Sequence, residues 1–269
     1  APLHPMAAVS NILFLVHRLP YPPNKGDKVR SYHLLRHLLK SHRVFLGTFI
    51  DDPEDEQYLP VLRALCPDLH VERLQPRTAK IRSLSALATG EALTLAYYHR
   101  PSLAAWVQGV AAQHDLRASV VFSSAMAPYA QALAPDVPML VDFVDVDSAK
   151  WSQYADKHRW PLSWLYRREG RTLLAYERVV AAQARQSFFV TSNEVDLFLR
   201  LAPECTATVQ AMSNGVDADF FAPDAARPTP YSADELPVVF TGAMDYWPNI
   251  DGVSCFTADV LPRLLPRWP

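Results

Sequence analysis

An α/β fold, an open parallel sheet with helices on both faces, is predicted by three observations. Short β-branched or apolar runs alternate with longer helical stretches, the order that builds βαβ units. Hydrophobic residues are 49% of the 269 positions, enough for a packed core. Prolines outnumber glycines 23 to 8 and gather in connections, at Pro20, Pro22 and Pro23 and again at Pro223, Pro228 and Pro230.

The elements follow in order. Asn11–His17 reads as the first strand, and Ala1 to Ser10 before it has no pattern and reads as a frayed end. Asp27–Lys40 is a helix, because Val29, Leu34, Leu35, Leu38 and Leu39 recur at near-helical spacing. Arg43–Phe49 and Leu69–Leu74 are the second and third strands, with Glu54–Leu65 helical between them. Ile81–Ala88 and Ser102–Gln113 read as helices, Ala118–Ser123 and Met139–Val144 as strands. Trp164–Ala184 has the charge pattern of one long amphipathic helix with a solvated face carrying Glu169 and Glu177. Ser187–Thr191 is a strand, Asn193–Leu201 a helix capped by Ser192 or Asn193, and Thr206–Ala211 the last strand of this half. Pro237–Gly242 opens a new strand, followed by an apolar stretch to the end.

Bulk properties remove several function classes. A net charge of −2 gives no reason to expect a nucleic-acid partner. No apolar run approaches the ~20 residues of a bilayer span, and Ile12–Val16 is strand-length with no basic flank. Cys66, Cys205 and Cys255 are far apart and odd in number, which fits a reducing cytosol and buried thiols. The chain has no Gly-x-Gly-x-x-Gly, P-loop, His-Glu-x-x-His or Gly-x-Ser-x-Gly run, and neither a metal nor a resident cofactor is expected.

In an open parallel sheet, ligands bind outside the carboxyl ends of the strands, so the residues just after each strand are the candidates. After the first strand, Lys25-Gly26-Asp27 leads into a helix. Gly26 permits close backbone approach, the helix start offers free N–H groups, and Lys25, Lys28 and Arg30 add charge for a diphosphate. An ordinary turn with a solvated basic helix start fits the same residues. The fifth strand runs into Asp142, Asp145 and Asp147, with Lys150 and Trp151 close behind. Alternation along an extended backbone sends Asp145 and Asp147 to one side, where they orient a hydroxyl or act as base. Helix capping by Asp147 or Ser148 is the plainer alternative. His17 ends the first strand and is the histidine to watch. Aromatics and cations interleave from Trp151 to Arg168, which suits a sugar-stacking platform, a membrane-interface surface or packing of a helical hairpin.

Four runs carry a resemblance. Asn214-Gly215-Val216-Asp217-x-x-Phe220-x-x-Pro223 resembles the interdomain motif of family-4 retaining glycosyltransferases of GT-B architecture. Phe240-x-Gly242-x-Met244-Asp245-Tyr246-x-Pro248-Asn249-x-Asp251 resembles the start of their second domain. Pro20-Tyr21-Pro22-Pro23-x-x-Gly26-Asp27-Lys28-x-Arg30 and Val141-Asp142-Phe143-x-Asp145-x-Asp147-Ser148-x-Lys150-Trp151 are similar to the sugar transferases associated with exopolysaccharide export in PEP-CTERM/exosortase bacteria. In this chain Lys25-Gly26 stands where the family has a Gly-Gly pair.

The resemblance implies two Rossmann-like halves: residues 11–214 as an acceptor-side domain, 215–236 as a linker, and 237–269 as the start of a donor-binding domain. A Rossmann-type half needs on the order of 100 residues, so the second half is expected to be cut off and this portion inactive alone. The implied reaction moves a sugar, with retention, from a nucleotide-diphosphate-sugar to a glycan or lipid-linked acceptor in bacterial exopolysaccharide synthesis. Lys25, Gly26, Asp27 and Arg30 would lie at the donor phosphate, and Asp142, Asp145 or Asp147 would be catalytic. Asn214, Gly215, Gly242, Tyr246 and Asn249 would line the cleft between halves. Apart from the resemblance, the cysteines fit a cytoplasmic location, and the aromatic and basic stretch motivates peripheral contact at the inner membrane. The family's paired-glutamate motif lies deep in the second half, so Glu169 and Glu177, which precede Asn214, are not that pair. A non-catalytic acceptor-binding module and a nucleotide-sugar epimerase of the same architecture are the alternatives.

Overall fold

The structure, a computed structural model, describes residues 10–268 apart from 225, 233, 234, 243, 245 and 246. It splits into two compact units between Gly215 and Val216. The first unit holds seven strands: β1 (Ser10–Val16), β2 (His42–Ile50), β3 (Leu69–Arg73), β4 (Leu116–Phe122), β5 (Met139–Val144), β6 (Gln186–Phe189) and β7 (Val209–Ala211). All pair in parallel in the order β3-β2-β1-β4-β5-β6-β7. This is an α/β, Rossmann-like open sheet.

Alternation along the strands divides the core. From β1, Leu13 and Leu15 enter one apolar cluster, while Ile12, Phe14 and Val16 enter the other. Both faces are therefore buried, as a parallel sheet requires. Helices α1 (Gly26–Leu38) and α2 (Leu59–Leu65) cover one face through Leu35 and Leu62. The other face is covered through Leu103 and Val107 of a later helix, and through Val180 and Phe198 of two more.

Several boundaries differ from expectation for local reasons. The stretch 54–65 is a 3₁₀ turn, Pro53–Tyr58, capped when Asp52 accepts the Glu54 N–H, and only then α2. The expected helix Ile81–Ala88 is two: α3 (Pro76–Ser83), opened by its own proline, and α4 (Ala86–Thr89), ended by Gly90 at φ 82°. A turn of helix not anticipated, α5 (Leu93–Tyr98), precedes α6 (Pro101–Gln113). A short α7 (Ala127–Gln131) follows β4. Then come α8 (Asp147–Asp156), α9 (Leu162–Gln183) and α10 (Ser192–Leu201). Thr191, rather than Ser192 or Asn193, caps α10 by accepting the Glu194 N–H. The last strand shrinks to three residues because Pro203–Cys205 forms a 3₁₀ turn just before it.

In the second unit the expected strand Pro237–Gly242 is not formed. Its residues are irregular backbone, and no strand is formed among the described residues of that unit to offer a ladder. Helices α11 (Trp247–Cys255) and α12 (Leu261–Leu264) flank a π turn. Cys66 and Cys205 are buried as expected, but Cys255 is exposed.

Helix α6 lies tight over β2 at Gly47. A Cβ there would meet Leu15 Cδ2 at 2.9 Å, Trp106 Cζ3 at 3.0 Å and Leu103 Cδ1 at 3.1 Å. Gly47→Ala is therefore expected to destabilise the unit by about 1–3 kcal/mol, as overpacking does. Urea unfolding reads this, and an unchanged midpoint would mean that α6 yields without cost.

Candidate functional site

The strand order reverses between β1 and β4, so the connections leaving these two strands diverge and open a crevice at the carboxyl edge. β1 leads there into His17-Arg18, with Arg18 one residue beyond the expected strand end. Arg18 donates through Nε and Nη2 to Asp51, which follows β2, and through Nη1 to Asp27 at 2.9 Å. Burial opposes the guanidinium charge, but Asp51 and Asp27 outweigh it and hold Arg18 above its ordinary range. His17 lies flat against Phe122, with ring centroids 5.9 Å apart, and meets Tyr98 edge-on. Its Nε2 is 3.9 Å from Asp27 Oδ2, and its buried Nδ1 has no hydrogen-bond partner among the described residues. Burial, aided by Arg18, pushes the imidazole below its usual pKa, against the pull of Asp27 and Asp147. His17 is thus neutral at neutral pH.

Helix α1 begins at the same edge. Lys25 occupies the N-cap position in an extended conformation with no side-chain cap bond, and its ammonium has no partner among the described residues. Nothing lies within 4 Å of where a Cβ would project from Gly26, so the space above this helix start is open. Lys28 does not face it. Its Nζ is buried on Asp55, at 2.7 and 2.6 Å from the two carboxylate oxygens. Arg30 donates through Nε and Nη2 to Asp142, at 2.7 and 3.1 Å, and through Nη1 to Asn214 Oδ1 at 3.0 Å. Its charge is thus already matched within the fold.

The backbone is strained where β5 ends. Val144, a β-branched residue, has φ 68°, and Ser123 at the end of β4 has φ 74°. Such conformations cost on the order of 1–3 kcal/mol each. Side chains hold the turn. Asp142 Oδ1 accepts the Val144 N–H at 3.2 Å, and Glu194 accepts the Val146 N–H at 2.7 Å. Burial raises the Asp142 pKa, with Arg30 pulling it back. Asp145 in the turn and Asp147 at the start of α8 share one cation: Lys150 Nζ is 2.7 Å from Asp145 Oδ2 and 3.2 Å from Asp147 Oδ1. A loop and a helix start, rather than strand alternation, bring the two carboxylates together. Burial opposes the Lys150 charge, but Asp147 and Asp145 together hold it above the ordinary lysine range.

Glu169 and Glu177 correct an expectation. They are not on a solvated face; both are fully buried. Glu169 accepts the N–H groups of Leu93 and Thr94 and so caps α5. Glu177 accepts the Ser148 hydroxyl at 2.5 Å and the Ser148 N–H at 3.3 Å, and so anchors the start of α8. A helix period says which residues share a side; it does not say whether that side meets water or orphan backbone donors.

Of the residues singled out in the sequence, Lys25, Gly26, Asp27, Arg30, Asp145, Asp147, Asn214 and Gly215 follow strands of the one sheet, and Asp142 lies within β5 itself. Gly242 and Asn249 belong to the second unit, where a Cβ on Gly242 would meet Asn249 Nδ2 at 2.7 Å. Tyr246 lies outside the described residues. Arg18 and Asp51 were not singled out, although Asp51 immediately follows β2 and Arg18 lies two residues after β1, the position that marked the others.

No family model matches the sequence, and no curated protein matches it. Among solved structures the chain is similar to the Candida albicans trehalose-6-phosphate phosphatase N-terminal domain. The TM-score is 0.45 and the identity 14%, covering 78% of this chain and 50% of that one. It is also similar to Glycyrrhiza uralensis UGT73P12 complexed with glycyrrhetinic acid 3-O-monoglucuronide, with TM-score 0.42 and 10% identity, covering 81% of this chain and 51% of that one. The chain spans about half the length of both.

Proposed function

We propose that this chain supplies the acceptor-side half of a retaining glycosyltransferase of GT-B architecture, one that uses a nucleotide-diphosphate-sugar donor and a glycan or lipid-linked acceptor in bacterial exopolysaccharide synthesis. One observation carries the reading: Arg30 joins three of the runs on which the resemblance rests. It lies in the 20–30 run and bonds to Asp142 of the 141–151 run and to Asn214 of the interdomain motif, 112 and 184 residues away.

The chemistry asked of such an edge is charge stabilisation. As the sugar–phosphate bond breaks, negative charge grows on the diphosphate and positive charge on the sugar. Lys25 and the open helix start at Gly26 are exposed donors without a partner among the described residues, and they face the diphosphate. Asp27 and Arg30, locked to Arg18 and Asp142, shape the wall. Asp145 and Asp147 orient the acceptor hydroxyl, with Lys150 bonded to both and holding them in place. Asp142 is a positioning residue for the Val144 turn. The nucleotide and most of the sugar fall to the half that follows Asn214, and a clean supply of both halves is needed for turnover.

The test is transfer of label from a panel of nucleotide-diphosphate sugars to bacterial lipid and glycan extracts, on the longest natural form of the chain. Label in an acceptor with retained anomeric configuration supports the reading. Epimerised nucleotide-sugar without acceptor would favour the epimerase, and acceptor binding without turnover the non-catalytic module. Within an active form, Asp145→Asn is expected to lower transfer about 10²-fold while leaving the melting temperature unchanged. Full turnover in that variant removes Asp145 from the mechanism.

A further inference from the structure

Two short segments of the first unit concentrate its exposed apolar side chains. Among the described residues of that unit, nine large hydrophobics are exposed, and six lie here: Ile81, Leu84 and Leu87 on α3–α4, and Trp160, Leu162 and Trp164 at the corner from α8 into α9. Trp160 is 81% exposed and Ile81 72%, so neither serves the core. The segments lie side by side. Arg168 donates to the carbonyls of Ala86 at 2.7 Å and Glu91 at 3.0 Å, which ties the first turns of α9 to α4. A groove of about 320 Å³ opens at the corner between Trp160, Trp164, Arg167 and Arg171.

The charge on these segments has one sign. Residues 74–90 carry Arg77, Lys80 and Arg82 and no acid. Residues 157–171 carry Lys157, Arg159, Arg167 and Arg171 outside the core, while Arg168 and the one acid of the segment, Glu169, are buried. The guanidinium groups of Arg159 and Arg171 have no carboxylate partner among the described residues, and Arg167 has only Asp156 at 3.5 Å. Elsewhere on the unit, the exposed arginines Arg43, Arg73 and Arg178 each sit on a carboxylate, whereas Arg63, Arg117 and Arg200 have none among the described residues but stand apart from exposed indoles. Unmatched cations beside exposed indoles and aliphatic side chains are the composition of a helix surface that rests at the headgroup level of a membrane. No helix among the described residues is long and apolar enough to cross one.

We propose that the α3–α4 segment and the α8–α9 corner together form a docking face for an anionic lipid bilayer, held by insertion of Trp160, Trp164 and Ile81 and by attraction of the surrounding cations to acidic headgroups. Because α8 runs ten residues from Asp147 to the corner, this face stands one helix length, about 15 Å, from the carboxyl edge. Docking there leaves the edge free. The inference is independent of glycosyl transfer, since vesicle binding needs no turnover.

Co-sedimentation of the 269-residue chain with phosphatidylglycerol-rich vesicles, against pure phosphatidylcholine vesicles, tests it. The chain is expected to bind the anionic vesicles at low salt, to be released at high salt, and to ignore the neutral ones. Trp160→Ser with Trp164→Ser, and separately Arg159→Glu with Arg171→Glu, should each weaken binding about tenfold or more. Circular dichroism confirms that each variant folds; should one not, Ile81→Ser on the other segment reads the same face. Absence of binding to anionic vesicles, or binding that these variants leave unchanged, overturns the proposal. So does a concentration-dependent dimer that the tryptophan variant abolishes, which would make a second copy the occupant.

Discussion

Arg30→Met destabilises the amino-terminal unit by about 3–5 kcal/mol, because it strands a buried carboxylate. Asp142 is 2% exposed and draws two of its hydrogen bonds from Arg30; with methionine in place only the Val144 N–H remains. Burial already raises the Asp142 pKa, and the Arg30 charge is the main force opposing that rise. The variant should therefore melt about 10 °C lower and lose more stability as pH increases, when Asp142 must ionise without its partner. Arg30→Lys keeps the charge but not the two-pronged geometry, and an intermediate loss is expected. The double variant Arg30→Met with Asp142→Leu should recover most of the deficit, since a buried ion pair can be replaced by apolar groups at little cost. Thermal melts of the three variants decide the matter. A single Arg30→Met variant as stable as the parent would mean that solvent, rather than this pair, satisfies the edge.

The second large effect is a pH dependence owed to Glu177. Burial pushes this carboxyl up to about 8, Asp147 adds to the shift, and the Ser148 hydroxyl opposes it. In the unfolded chain the group titrates near its ordinary 4.5. Between these values the folded state holds a proton that the unfolded state has released, so stability falls as pH rises. The contribution is fully present below about 4.5 and is lost by about pH 8, a total of about 3–5 kcal/mol. His17 works in the other direction, because its folded pKa lies below 6.5, so the comparison must be between the parent and Glu177→Gln. Urea unfolding at about pH 5 and about pH 8 should show a drop in the parent that the glutamine variant lacks. Equal slopes in both would show that Glu177 is ionised throughout and matched by more than Ser148.

These two groups mark where sequence reasoning reached its limit. The alternation of strands and helices, and the strand ends as the place for chemistry, were legible because period and turn residues are local properties. Asp142, Asp145 and Asp147 were legible for the same reason: each follows β5 or sits at its end. Lys28 was expected to face a phosphate and instead lies buried on Asp55. Glu169 and Glu177 were expected in water and instead hold buried N–H groups. Each of these outcomes depends on a partner distant in sequence, and a charged residue carries no local mark of whether such a partner exists. The segment Pro237–Gly242 shows the complementary limit. Its apolar, β-branched pattern suits a strand, yet a strand needs a neighbour to accept its hydrogen bonds.

From composition and order alone, then, came a seven-stranded parallel sheet and the edge on which its chemistry would gather, since periodicity and connection length are written residue by residue. Folding decided which charges on that edge are free. Arg30, Lys28, Arg18 and two glutamates are consumed by partners on other elements, while Lys25 and the helix start at Gly26 stay open. The reason is the cost of burying an unmatched charge: it forces pairing wherever the chain packs, and packing is known only once the strands have taken their places.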